Sequence, residues 1–230
     1  MKSSKTDLYL AALARARVRG IDQYRKKLVD NAQVLTNVED LYCEARIALI
    51  FSAYRWNVTM RPESDTPEPD LEARLNDGGL LYIEVKHFRS KKQDHIPEPE
   101  LLPDGTLPQL PAIPAGEPEP PWAQMCRRAI KAGPKYKSDK SNLIAFVATT
   151  EQLNGELDTA AACYAEKVRQ SPNKPQLENL SAMMLVDSLC TVGPDRRNIW
   201  SCPILRSRRV RPTPSAIWAL QEIQLEPCLI

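Results

Sequence analysis

Asp70, preceded by Pro69, is followed after thirteen residues by Glu84-Val85-Lys86, so two carboxylates and an ammonium recur within one short stretch. Leu71, Ala73 and Leu75 alternate along the first segment, and Leu81, Ile83 and Val85 alternate along the second. A period of two reads as two strands with one apolar face each, which puts Asp70, Glu84 and Lys86 together on the opposite face. Acids and a base gathered in this way can hold a divalent cation and direct a water at a phosphodiester.

The parity of the turn decides whether they meet. A two-residue turn at Asp77-Gly78 would set Asp70 opposite Val85 and mix polar with apolar faces, an unfavourable register. A three-residue loop, Asn76-Asp77-Gly78, pairs Leu75 with Gly79 and keeps the faces matched. Its last position favours a left-handed glycine, and Gly78 stands there. Asp70 then lies opposite Glu84. Carboxylates so opposed have Cβ atoms roughly 4.5–5.5 Å apart and repel unless something compensates them. Oxygen ligands with open positions suit Mg2+ or Mn2+, and Lys86 is placed to reach the phosphate or the attacking water.

These residues resemble the PD-(D/E)XK nuclease superfamily, the restriction-endonuclease-like fold. The resemblance implies that Asp70 and Glu84 bind the metal, helped by the Val85 backbone carbonyl, and that Lys86 assists hydrolysis. It also implies an α/β (α+β) fold with a central mixed sheet flanked by helices. A helix before the hairpin often adds an acid in this superfamily. Thr36-Asn37-Val38-Glu39-Asp40 supplies a capping residue and acids to open a helix running to about Tyr54. Glu44 lies on its apolar stripe with Leu41, Ala48 and Phe51, where an unpaired carboxylate is costly; it reads either as a site acid or as a boundary residue paired with an arginine. Trp56 to Arg61 reads as the first strand.

Beyond the hairpin, nine prolines between Pro97 and Pro121 exclude regular structure, so 88–121 is expected to be an inserted loop or lid. A helix from Trp122 to about Lys131 and a buried strand from Asn142 to Ala148 complete the resemblance, which covers residues 37–149. That helix offers Gln124, Arg127 and Lys131 as supports for the site, against the commoner reading of solvated surface. Gly155 to Gln170 has helical spacing, Met183 to Leu189 and Asn198 to Leu205 read as strands, and Ser215 to Gln224 as a closing helix. We expect a single domain over 1–230, with 1–36 a helical extension and 150–230 additions to the core.

Net charge is only +2, so any nucleic-acid partner has to be recognised by local charge. Arg89, Lys91 and Lys92 follow the hairpin, and Arg206, Arg208, Arg209 and Arg211, with Arg196 and Arg197, form a second basic cluster that could follow a phosphate backbone. Arg15, Arg17, Arg19, Arg25, Lys26 and Lys27 form a third, beside apolar Leu8, Leu10, Leu13 and Val18 that mark a packing or dimer face. The six cysteines form no CxxC pair and there are two histidines, which argues against zinc and for buried free thiols in a reducing cytoplasm. His87 falls on the strand face away from Lys86. No stretch resembles a signal peptide or approaches the ~20 apolar residues of a membrane span, so the expectation is a soluble, cytoplasmic protein.

The function expected is that of a Mg2+-dependent or Mn2+-dependent nuclease acting on DNA, as a homodimer if it cuts both strands. Two alternatives stand beside it. One is a catalytically silent binding or assembly module of the same fold; the other is a structural α/β protein whose Asp70, Glu84 and Lys86 form an exposed ion-pair ladder.

Overall fold

The computed structural model describes residues 4–62, 66–76, 78–88, 119–138, 140–148, 156–187 and 199–201. Most of the proline-rich insertion, Arg89, Lys91 and Lys92, the arginines from 196 to 211 and the closing helix at 215–224 lie outside them.

The chain enters through α1 (Lys5–Arg15) and α2 (Ile21–Asp30), where the sequence suggests continuous helical character. The break has a local cause. Arg17 and Gly20 both take positive φ, and a Cβ on Gly20 would lie 2.2 Å from the Met60 carbonyl oxygen. Only glycine allows this approach. It lets the Arg19 backbone exchange hydrogen bonds of 2.9 Å with Val58 and Met60, fastening the extension to the first strand. Of the expected packing or dimer face, Leu13 and Val18 are buried within the chain and Leu10 packs against the core, together with Tyr24 and Leu28, while Leu8 is 60% exposed.

The long α3 (Leu35–Ala53) begins ahead of the expected cap. Val34 is its N-cap residue, and the Val34 carbonyl already accepts the Asn37 and Val38 N–H groups; Thr36 therefore lies inside the first turn and the acids beyond it. The helix buries Leu41, Ala45, Ile47, Ala48 and Phe51 against the sheet.

The sheet runs in sequence order: β1 (Asn57–Met60), β2 (Leu71–Arg74), β3 (Leu80–Phe88), β4 (Ser141–Ala148) and β5 (Leu180–Asp187), with the short β6 (Ile199–Ser201) at the edge. It is mixed: the first two pairings and the last are antiparallel, while β3–β4 and β4–β5 are parallel. Parallel neighbours need long crossovers, and the two helical crossovers α4 (Pro121–Lys131) and α5 (Glu156–Arg169) serve here.

Side-chain alternation sorts the core into two clusters. Leu81, Ile83, Val85, Leu143, Ala145 and Val147 pack on the side of α1–α3; Phe88, Ile144, Phe146 and Leu185 pack on the side of α4 and α5. With both faces covered, β4 is buried along its whole length, which is why its sequence is an unbroken apolar run. The architecture is thus a mixed sheet flanked by helices. β5 starts three residues before the expected Met183, because Leu180 and Ala182 already pair with β4.

Candidate active site

The β2–β3 hairpin has the three-residue loop. The Leu75 N–H donates to the Gly79 carbonyl at 2.8 Å, Gly78 has φ +90°, and Leu71 pairs with Ile83. Continued by one residue, that register sets Asp70 opposite Glu84.

What happens at Asp70 follows from unequal strand lengths. β2 begins at Leu71, whereas β3 runs on to Phe88, so among the described residues β3 is paired from Glu84 onward only with β4. On its other edge no strand among the described residues follows β2, and backbone donors there need partners. The Asp70 carboxylate provides one, its Oδ2 accepting the Val85 N–H at 2.8 Å. In an extended strand the N–H and C=O of one residue point the same way, so the Val85 carbonyl faces this edge too.

Glu84 is 1% exposed. Burial, and then the nearby Asp70 charge, raise its pKa above the ordinary carboxylate value against the opposing pull of two lysines. One is Lys86, 2.5 Å from Glu84 Oε1. The other is Lys135, which lies outside the motif and the helical spacings read from the sequence. Its Nζ lies 2.8 Å from both Glu84 oxygens and 3.3 Å from Asp70 Oδ1, so it bridges the opposed carboxylates. Burial alone would lower the Lys135 pKa, but Asp70 and Glu84 together raise it above the ordinary lysine value.

Lys135 arrives on a short 3-10 turn (Gly133–Lys135) between α4 and β4. A weak signal for it exists: a lysine directly after Gly133-Pro134, in a short connection leading into a buried strand. The connection is closely held. Tyr136 donates its hydroxyl to the Ala129 carbonyl, and Asn142 accepts the Lys137 N–H and donates to the Lys137 carbonyl. Lys137 pairs in turn with Glu68, which also meets Arg61. Lys135 and Lys137 therefore clasp Asp70 and Glu68 at matching spacing, joining this connection to the one between β1 and β2.

Glu44 reaches the site from α3. It is largely buried, its partner is Lys27 of α2 at 3.5 Å rather than an arginine, and its pKa is pushed up to about 8 by burial first and then by Asp70, with Glu84 contributing less. Lys27 is thus committed to the interior and is removed from the basic surface of the N-terminal helices. One helical turn earlier on α3, Asp40 meets His87 Nδ1 at 3.2 Å on the far strand face from Lys86.

The α4 candidates go elsewhere. Gln124 donates to the Glu119 carbonyl, Arg127 forms a two-pronged pair with the Glu119 carboxylate, and Lys131 is exposed. From this helix it is Arg128 that approaches β3, donating to the His87 carbonyl at 2.7 Å and lying over the Phe88 ring.

Asp70, Glu84, the Val85 carbonyl and Glu44 are all hard oxygen donors, a set that fits Mg2+ or Mn2+ and not zinc. Among the described residues, however, no three acidic, histidine or cysteine side chains converge closely enough to grip a metal as they stand. Lysine ammoniums occupy the carboxylate oxygens instead. The cluster balances three acids (Glu44, Asp70, Glu84) with three lysines (Lys27, Lys86, Lys135).

No helix among the described residues is long and apolar enough to cross a membrane. No protein-family model, no curated protein and no solved structure matches the chain.

Proposed function

We propose that this chain is a metal-dependent nuclease with a restriction-endonuclease-like core, hydrolysing phosphodiester bonds in DNA. One observation carries the reading: Asp70 stands opposite Glu84 where β2 stops and β3 continues, with lysines from two separate elements on the pair. Asp70, Glu84 and the Val85 carbonyl would hold Mg2+ or Mn2+, with Glu44 in reserve. The bound ion would supply a Lewis acid that lowers the pKa of water and offsets charge on the phosphate. Lys86 is 34% exposed at its side chain and can turn from Glu84 to a phosphate oxygen, where its charge stabilises the transition state.

An ion-pair ladder on a solvated sheet face would look different. Glu84 is almost wholly buried, and buried charges are a poor source of stability because desolvation can exceed the Coulombic gain. Perturbed carboxylates gathered at one strand end are what a functional site needs.

The test is a cleavage screen with Mg2+ and Mn2+ over duplex, single-stranded and branched DNA, with RNA alongside. We expect divalent-dependent cleavage that is abolished in Asp70→Ala and in Lys86→Ala. Binding without cleavage would indicate a silent module, and neither binding nor cleavage would sink the nuclease reading.

A further inference from the structure

Among the cations of the site, Lys135 alone touches both opposed carboxylates. Lys86 pairs with Glu84, and Lys27 with Glu44. The backbone that carries Lys135 is closely held. Its own N–H donates to the Ala132 carbonyl at 2.8 Å, the next residue is anchored through the Tyr136 hydroxyl, and the one after through the buried Asn142 side chain. Gly133, at the start of the turn, sits so close to Leu177 that a Cβ there would lie 2.7 Å from Leu177 Cδ2. The ammonium is therefore delivered to one place, between Asp70 and Glu84, by a backbone with little room to shift.

Two carboxylates facing each other across a strand pair repel unless a positive charge lies between them. A divalent cation would sit in that same position, using the same oxygens. An ammonium and a divalent cation in that one position would repel each other, and Lys135 already engages both Glu84 oxygens and Asp70 Oδ1, while Asp70 Oδ2 accepts the Val85 N–H.

We infer that Lys135 is a built-in counter-ion that occupies the position between Asp70 and Glu84 when no cation is bound, and that a metal must displace it to enter. This rests on the metal-site reading above and adds a property to it: the affinity for metal is set by competition with a residue of the chain itself. The folded protein is thereby stable without metal, and the site fills only when the free ion is abundant enough to move the lysine. Lys135 acts through the carboxylates and is a positioning residue. Its side chain is 31% exposed, so the displaced ammonium has solvent to move into.

The test compares full-length wild type with Lys135→Met, Lys135→Gln and Lys135→Arg, measuring Mn2+ binding by electron paramagnetic resonance, Mg2+ binding by calorimetry, and thermal unfolding in chelator and in excess Mg2+. Lys135→Gln keeps a polar head and stands in if Lys135→Met does not fold. Removing a unit charge beside the acids is expected to tighten Mn2+ binding on the order of tenfold. The same variants should melt lower than wild type in chelator and recover most of the difference in Mg2+, while Lys135→Arg should behave as wild type in both. If wild type binds the ions and the neutral variants bind no more tightly, the counter-ion inference fails and the metal site stands. If neither wild type nor variants bind either ion, the metal site itself fails, and this inference with it.

Discussion

The two halves of β3 meet opposite demands. From Leu81 to Ile83 the strand is paired on both edges, with β2 on one side and β4 on the other, and Leu81 and Ile83 are buried in the core. From Glu84 to Phe88 it keeps β4 but is no longer paired with β2, and charged side chains gather around it: Asp70 on the Val85 N–H, Lys135 and Lys86 on Glu84, and Asp40 on His87 at the other face. One strand thus supplies both scaffold and chemistry. The rigid half fixes the register that the open half needs, because a slip of one residue would carry Glu84 to the other face.

This contrast can be broken at either end. In the paired half, Ile83→Ala removes a fully buried side chain and should cost about 2–5 kcal/mol in urea unfolding. Its unfolding should show no special dependence on divalent ions beyond that of wild type.

In the open half, pH is the sharper probe. Glu44 is held at about 8 against an ordinary 4.5, so the folded chain favours its protonated form. Its contribution to stability is complete below pH 4.5 and is lost as pH rises through about 8. At about 1.4 kcal/mol for each pH unit between those two values, metal-free wild type should lose a few kcal/mol over that window. Asp70, Glu84 and Lys27 are the charged groups that face it. Glu44→Gln should flatten the profile; an unchanged slope would mean that Glu44 is not the group responsible.

The loop that sets the register should be more forgiving. Gly78 has φ +90°, and a Cβ placed there would meet nothing within 4 Å, so Gly78→Ala costs only its backbone conformation, about 1 kcal/mol. Lengthening the loop by one residue is a different matter, because it alters the parity that brings Asp70 to Glu84. Such an insertion should abolish any response to Mg2+ while leaving the helical content in place, as read by circular dichroism.

How much of this is legible in sequence depends on how local the cause is. The hairpin register follows from a period of two and a single glycine, both contained within residues 70–86. Glu44 is visible as a charge on an apolar stripe, although its lysine partner is not, since Lys27 comes from a separate helix. The start of α3 departs from expectation because the backbone turn at Val34 begins the helix unaided, without the side-chain cap that Thr36 suggests. Lys135 is illegible for a different reason. It has no periodicity, lies 51 residues after Glu84, and reaches the carboxylates only because the β3–β4 crossover returns its connection to that strand end. The α4 positions singled out by helical spacing turn to Glu119 or to solvent, since spacing alone does not say which side of a helix faces a site assembled by tertiary contacts.

The central claim, that Asp70 and Glu84 form a metal-binding pair, is tested most directly by the thermal unfolding of wild type and Asp70→Ala with and without excess Mg2+. A ligand at one hundred times its dissociation constant stabilises the folded state by about 2.7 kcal/mol. The account predicts an upward shift of that order in wild type and none in Asp70→Ala. Equal shifts in both proteins, or none in wild type, would contradict it.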